Sequence, residues 1–173
     1  AVARFATGHQ VGDIARQLYD PQAQGTLIDP LAEGFDAAFA RTQHLLTHSR
    51  QPIFEAGFRA GGALAFADVL LPSDEGDQLG WRMVEVKSST SVKDYHRDDA
   101  AIQACVAREA GLALTAIAVA HIDSGWTYPG HGDYQGLLRE SDLSEEAFAR
   151  ADEVKGWVVQ AQAVVQRVSA PTL

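Results

Sequence analysis

Apolar positions recur with two different periods along the chain, and their alternation predicts an α/β protein. A period near 3.6 residues, typical of amphipathic helices, covers residues 7–19, 30–48, 98–110 and 144–168. Short apolar or alternating runs predict strands over residues 52–58, 63–71, 81–87 and 112–122. The last run is almost wholly apolar, as expected for a strand buried on both faces. Because a helix separates it from the third strand, we expect a right-handed β-α-β crossover there.

Polar segments predict the connections between these elements. Asp29 and Pro30 are suited to the N-cap and first turn of the second helix. Residues 72–80 predict an acidic, solvated loop between the second and third strands. Residues 123–140 predict a long loop with space for a short edge strand.

Three charged residues interrupt the apolar strands at positions that can meet. Asp68 lies in the second strand, and Glu85 and Lys87 lie two residues apart in the third. Side chains two residues apart on a strand share a face, so antiparallel pairing would bring two carboxylates and an ammonium together. Buried charge is costly unless it is paired or metal-bound. The pattern therefore predicts either a Mg²⁺ site or a cross-strand salt bridge of Lys87 with Glu85 or Asp68.

Glu55 is a third carboxylate that the hairpin brings towards this place. A tight turn centred on Ala60 and Gly61 would pair Glu55 with Phe66. In that register Glu55 shares a sheet face with Asp68. Glu55 is therefore a candidate metal ligand, or a group that supports the ligands.

Four further polar residues have two interpretations each. The Ser88 and Ser89 hydroxyls are suited to contacting phosphate oxygens, or they turn the chain after the third strand. Gln103 lies near the apolar face of its predicted helix, so it either reaches back towards the strands or marks a helix boundary. His121 at the end of the fourth strand is either functional or a hydrogen-bonded strand-end histidine.

Composition limits the classes of protein that fit. The length of 173 residues suits one domain, 1–173, and the absence of an initiating Met suggests a domain excised from a longer protein. No apolar run is long enough for a transmembrane helix, and no signal peptide is recognisable, so the cytoplasm is the expected location. A single cysteine, Cys105, excludes an intrachain disulfide and a cysteine-ligated Fe–S cluster. The formal charge of −9 argues against a protein that coats DNA.

The order of these motifs resembles the PD-(D/E)XK nuclease superfamily, and most closely its RecB-like branch. A helical region precedes a hairpin that carries Asp68, followed by Glu85-Val86-Lys87 and a helix that carries Gln103. The segments GHQVGDIARQLY, IFEAGFRAGGALAFADVLL and AVAHID are similar to those of an uncharacterised RecB-like group. The resemblance runs from Gly8 to about Trp126.

The resemblance implies a restriction-endonuclease-like core, with a central mixed sheet flanked by helices, that cleaves DNA with a metal ion. Asp68 and Glu85 would hold Mg²⁺ or Mn²⁺, and the Val86 carbonyl would complete the site. Lys87 would position the attacking water, and Gln103 would contact the site or the DNA backbone.

One further position matches the resemblance, and two positions depart from it. Tyr95 falls in the segment that often carries an aromatic residue before the helix, and with Ser88 and Ser89 it is a candidate DNA contact. Gly12 stands where RecB-like nucleases usually have a metal-binding histidine, and Ala107 stands where a tyrosine follows the helix glutamine. The two carboxylates and the lysine are all present.

Three functions are therefore considered. The first is a Mg²⁺- or Mn²⁺-dependent deoxyribonuclease without an Fe–S cluster, working on DNA in repair, recombination or defence, alone or with other domains. The second is a degenerate nuclease fold that binds nucleic acid or a partner protein. The third is a metal-independent domain whose acidic surface meets a basic partner.

Overall fold

A six-stranded sheet carries helices on its faces, as a computed structural model describes it for residues 8–75 and 78–169. The helices are α1 Gly8–Tyr19, α2 Pro30–Glu33, α3 Phe35–His48, α4 Asp94–Glu109, α5 Ser144–Phe148 and α6 Ala151–Ser169. The strands are β1 Thr26–Leu27, β2 Ile53–Ala60, β3 Ala63–Glu75, β4 Gln78–Val86, β5 Leu114–Ile122 and β6 Leu138–Asp142. The predicted α/β class is confirmed. Residue 7, where the first predicted helix begins, lies outside the described residues.

The strands lie in the sheet in chain order, β1-β2-β3-β4-β5-β6. The pairs β1/β2 and β4/β5 are parallel, and the other three are antiparallel, so the sheet is mixed. The helix α4 connects the parallel strands β4 and β5, as the β-α-β prediction required. The short edge strand that residues 123–140 allowed is β6, which begins at Leu138.

Neighbouring strand residues alternate between two apolar clusters, one on each side of the sheet. Ile53, Leu70 and Met83 belong to the larger cluster, which includes the buried residues of α4. Phe54, Val69, Val84 and Ala120 form the smaller cluster, against which Tyr19 of α1 packs. Alanines make up most of the buried face of α4, at positions 100, 101, 104 and 107. Their small side chains let the helix lie close to the sheet.

The hairpin of β3 and β4 is longer than the sequence predicted. Residues 72–80, predicted as a loop, are mostly paired, from Pro72 opposite Trp81 to Glu75 opposite Gln78. Pro72 lies beyond Leu70, where β3 stops pairing with β2, so its missing N–H interrupts no second ladder.

Two predicted helices are each broken into a pair. The helix predicted over 30–48 is divided at Gly34, whose φ of +93° ends α2 before α3 begins. The helix predicted over 144–168 is divided between Phe148 and Ala151. The helix predicted from residue 98 begins earlier, at Asp94. Its start is stabilised by the His96 ring, which accepts the Lys93 N–H at 2.9 Å.

One buried hydroxyl connects α3 to β2. Thr42 is fully buried, donates to the Ala38 carbonyl at 2.8 Å and accepts the Gly57 N–H at 2.9 Å. A side chain at Gly57 would meet the Phe66 ring at 2.8 Å, so glycine is required there for β2 to lie this close to its neighbours. The threonine therefore satisfies a backbone donor in the tightest part of the core.

We expect Thr42→Val to lower the free energy of unfolding by about 1–3 kcal/mol, because it leaves the Gly57 N–H buried without an acceptor. Urea denaturation measures the change. Thr47→Val is the matched control, because Thr47 is exposed and its hydroxyl bonds within its own helix, to Gln43, His44 and His48. It should change stability by less than about 0.5 kcal/mol. Equal losses in both variants would contradict this account of Thr42.

Candidate metal centre

Asp68 and Glu85 are the first residues past the end of the β3–β4 ladder. Regular pairing ends at Val69 opposite Val84, and the next residue on each strand is an acid. The Asp68 carboxylate accepts the Val86 N–H at 2.8 Å, so beyond the ladder a side chain, rather than a backbone carbonyl of β3, accepts the next N–H of β4. The antiparallel pairing predicted for these strands thus brings the two acids together.

Glu85 is a buried carboxyl group with an unsatisfied oxygen. Its side chain is only 3% exposed, and its Oε1 is fully buried without a hydrogen-bond partner among the described residues. Burial raises the pKa of Glu85 well above its usual value, and the charge and hydrogen bond of Asp68 raise it further. The positive charge of Lys87 opposes this shift of the pKa. A cation at Glu85 would supply the missing partner of Oε1.

Glu55 lies on β2 near Asp68 and has a strained backbone conformation. Its φ is +60°, a left-handed value that costs a non-glycine residue about 1–2 kcal/mol. Burial and the charge of Asp68 raise the pKa of Glu55 to about 7, with Arg16 acting in the opposite direction. The charge of Glu55 also raises the pKa of Glu85.

The predicted register of Glu55 was wrong by two residues. Phe66 pairs with Gly57 rather than with Glu55, and the pairs on either side of Glu55 place it opposite Asp68. The reason is that the turn is centred on Gly61 and Gly62, both with positive φ, rather than on Ala60 and Gly61. A shift of two residues keeps the face of a strand residue, so Glu55 still reaches the site.

A cavity of about 150 Å³ lies beside the acids, beneath α1. Glu55, Asp68 and Val86 line it from the sheet, and Gly12 and Arg16 line it from the helix. No atom lies within 4 Å of the place where a side chain at Gly12 would begin. The helix therefore leaves open space next to Glu55 and Asp68, while Glu85 does not line this cavity.

Lys87 turns from the strand towards α4. Its ammonium pairs with Asp99 at 3.2 Å, rather than with Asp68 or Glu85 as the salt-bridge alternative proposed. Its charge lowers the pKa of Glu85 and that of His96, so it lies between the acids and the start of α4. Its backbone N–H donates to Ala120 at 2.8 Å, which fixes the chain just beyond β4.

Gln103 does reach back to the strands. Its Nε2 donates to the Phe66 carbonyl at 3.1 Å, two residues before Asp68 on β3. Its Oε1 is buried without a hydrogen-bond partner among the described residues. The contact joins α4 to the strand that carries Asp68, while Gln103 does not line the cavity under α1.

The candidate DNA contacts lie on the segment after Lys87. Ser88 and Tyr95 are exposed, and the Tyr95 ring meets the His96 ring edge-on at 4.3 Å between centroids. Ser89 donates its hydroxyl to the Ser91 carbonyl, a local bond that supports the turning role considered for this segment.

Sequence reasoning missed Arg16 and Asp99. Arg16 lies on the polar side of α1, and Asp99 lies in the first half of α4. Nothing in the local sequence links Arg16 to β2 or β3, or Asp99 to Lys87. His121, which had two interpretations, is buried with Nε2 3.3 Å from the Ser141 hydroxyl and influences the pKa of His96. It is therefore a hydrogen-bonded strand-end histidine that lies near Lys87.

The residues present fit a Mg²⁺ ion held by two carboxylates and a carbonyl. Within residues 8–75 and 78–169, no three histidine, cysteine, aspartate or glutamate side chains are grouped as ligands of one metal. Mg²⁺ does not need such a cage, since it is commonly bound through one or two carboxylates and keeps several waters. Asp68, Glu85 and the Val86 carbonyl are the candidate ligands, and the unsatisfied Oε1 of Glu85 is the observation that favours them.

The raised pKa of Glu55 predicts that stability falls as pH rises. Between pH 4.5 and about 7 the folded state binds more protons at Glu55 than the unfolded state does, so the free energy of unfolding decreases through this window. Glu55→Gln removes the effect. We expect the variant to be more stable than the parent by about 1 kcal/mol at about pH 8, after allowance for solvent screening, and similar to it at about pH 4.

Urea denaturation at the two pH values, without divalent metal, measures this difference. Glu33→Gln is the control of opposite sign, because the Asp29 N–H and Arg41 lower the pKa of Glu33. That variant should lose stability at the higher pH. A Glu55→Gln variant less stable than the parent at the higher pH would contradict the placement of Glu55 among like charges.

No protein-family model matches this chain, and no curated protein is significantly similar to it. Among solved structures, that of a protein called SSO0001 is similar over 90% of this chain and 70% of that chain, with 13% identity and a TM-score of 0.34. A similarity at this level identifies no shared function. Among the described residues, no helix is both long and apolar enough to cross a membrane.

Proposed function

We propose that this chain is a Mg²⁺- or Mn²⁺-dependent deoxyribonuclease with a restriction-endonuclease-like core of the RecB-like kind. The observation that carries the proposal is the meeting of Asp68 with the buried, unsatisfied Glu85 at the point where the β3–β4 ladder ends. The order of three antiparallel strands, a helix and a parallel strand from β2 to β5 also supports it, because the sequence resemblance implies that order.

Electrostatics favour a divalent cation at this site. Burial raises the pKa of Glu55 and of Glu85, and the negative charge of Asp68 raises both further, so the fold brings like charges together at this place. When bound, the metal would lower the pKa of a coordinated water and offset charge on the phosphodiester. The ligands would be Asp68, Glu85 and the Val86 carbonyl.

The other side chains would position the reacting groups. Lys87 presents an ammonium next to Glu85, where it can orient a water or stabilise charge that develops on the phosphate. Asp99 holds that ammonium at 3.2 Å and so limits its freedom. Glu55 lies opposite Asp68, so it would support the ligands or join them when the metal is bound. Gln103 fixes α4 to β3 close to Asp68.

A degenerate nuclease fold that binds nucleic acid is the second candidate. Gly12 favours it, because it stands where the resemblance predicts a metal-binding histidine, and the space beside it is open. A weaker metal site would follow from this lack of a ligand. Metal binding and cleavage together separate the two candidates.

We expect the protein to cut DNA only when Mg²⁺ or Mn²⁺ is present. Asp68→Asn, Glu85→Gln and Lys87→Met should each lower the rate by about two to three orders of magnitude, because each removes a group that stabilises the transition state. Gel assays on linear, circular and single-stranded DNA measure the rates. Cutting of the circular substrate would identify an endonuclease.

Lys155→Met and Asp36→Asn are the matched controls. Lys155 pairs with Glu109 on the α4–α6 side, and Asp36 is an exposed partner of Arg59, so both variants remove surface ion pairs of similar kind. They should keep the parent rate. If the folded parent protein cuts none of the three substrates with either metal, the nuclease proposal is wrong and the binding domain is favoured.

The open space at Gly12 predicts that a ligand can be added. Gly12→His would place an imidazole beside the cavity that Asp68 lines, without meeting an atom within 4 Å of its Cβ. We expect it to tighten Mn²⁺ binding about tenfold, equivalent to about 1.4 kcal/mol. Isothermal titration with Mn²⁺ measures the affinity.

Gly156→His is the control for this substitution. Gly156 is also a helical glycine with no atom within 4 Å of an added Cβ, and it lies on α6 away from the carboxylates. Its histidine should leave Mn²⁺ affinity unchanged. Equal affinity in the Gly12→His variant and the parent would show that the metal does not lie near α1.

A further inference from the structure

A second cavity lies between α1, the loop that follows it and β1. It measures about 440 Å³ and is lined by Asp13, Arg16, Gln17, Asp20, Leu27 and Phe54, among others. Arg16 and Phe54 also line the 150 Å³ cavity beside Asp68, so the two spaces adjoin. A volume of this size is within the range of sites for small organic molecules.

Arg16 stands between these spaces as a positive group among acids. It is the one basic residue among the described side chains that line either cavity. Its guanidinium pairs with Asp13 one turn earlier on the helix, and both side chains remain partly exposed, at 35% and 43%. Its charge is felt at Glu55, which places it within electrostatic reach of the carboxylates.

We propose that Arg16 binds a phosphate of the DNA strand next to the one that is cleaved, and that the 440 Å³ cavity receives the nucleoside attached to it. The planar guanidinium is suited to phosphate because it can donate two parallel hydrogen bonds. The cavity offers Leu27, which is 46% exposed, as an apolar surface and the exposed Gln17 as a hydrogen-bonding group. This proposal rests on the proposed nuclease function.

Two acids near Arg16 could compete with a phosphate for its guanidinium. Asp20 is already used within the loop, where it accepts the N–H groups of Gln24 and Gly25. Asp13 remains beside Arg16, so it competes with phosphate for the guanidinium. A phosphate would therefore bind better when the Asp13 charge is absent.

Binding of a fluorescein-labelled oligo(dT) strand, with Ca²⁺ in place of Mg²⁺, tests Arg16 without requiring cleavage. We expect Arg16→Gln to raise the Kd about tenfold or more and to lower the slope of log K against log salt by about one. Arg16→Lys should lie between this variant and the parent, and Asp13→Asn should lower the Kd. Surface ion pairs of this kind contribute little to stability, so the variants should fold.

Arg41→Gln is the matched control, because Arg41 is an exposed helical arginine paired with an acid, Glu33, at 2.7 Å. It removes the same charge and should change the Kd by less than about twofold. Under cleavage conditions, Arg16→Gln should raise KM more than it lowers kcat. That split is expected of a residue that binds a neighbouring phosphate rather than the reacting one.

The outcomes separate this proposal from the nuclease function. Equal Kd and KM for Arg16→Gln and the parent would overturn the role of Arg16 even if the parent cuts DNA. A parent that does not bind the oligonucleotide would overturn it as well. A parent that binds without cutting, and loses binding in Arg16→Gln, would support the phosphate site while overturning the proposed cleavage.

Discussion

The mutual repulsion of three carboxyl groups is the constraint on which the rest of this site depends. Asp68 and Glu85 lie opposite each other where the β3–β4 ladder ends, and Glu55 lies opposite Asp68 on the adjacent strand β2. Three features of this cluster cost stability. They are the left-handed backbone of Glu55, the burial of Glu85 and the like charge of Asp68. A fold that needed only a stable sheet would place apolar residues there, so the acids indicate a task beyond folding.

Strand periodicity accounts for the part of the site that was predictable from sequence. Asp68 and Glu85 interrupt apolar runs, and a period of two determines the face on which each lies. The same period explains why the sheet face of Glu55 was predicted correctly despite a wrong register. The actual register differs from the predicted one by two residues, and a shift of two residues preserves the face. The positive φ of Glu55 was not predictable, since only the surrounding structure holds a glutamate in that conformation.

Contacts between elements distant in sequence account for most of what sequence reasoning missed. Asp99 meets Lys87 only because α4 crosses the sheet in the β-α-β unit, and Arg16 shares a cavity with Glu55 only because α1 packs over β2 and β3 near Asp68. Local structure was misjudged where a single residue outweighed the pattern. Gly34 divided a continuous helical period, and pairing with β4 extended β3 through an acidic segment that composition marks as a loop.

Within the part of the chain that the structure describes, two cations that act on these acids are each held by a further acid. Lys87 pairs with Asp99, and Arg16 pairs with Asp13, so neither offers a full positive charge to an approaching phosphate. In a protein with a formal charge of −9, a DNA strand would then meet net repulsion at the site until a divalent ion occupied it. If the proposed function is correct, the metal therefore serves binding as well as chemistry, because it reverses the local charge that the strand encounters. The same pairing of each cation with an acid would keep such a protein from binding DNA wherever the metal is scarce.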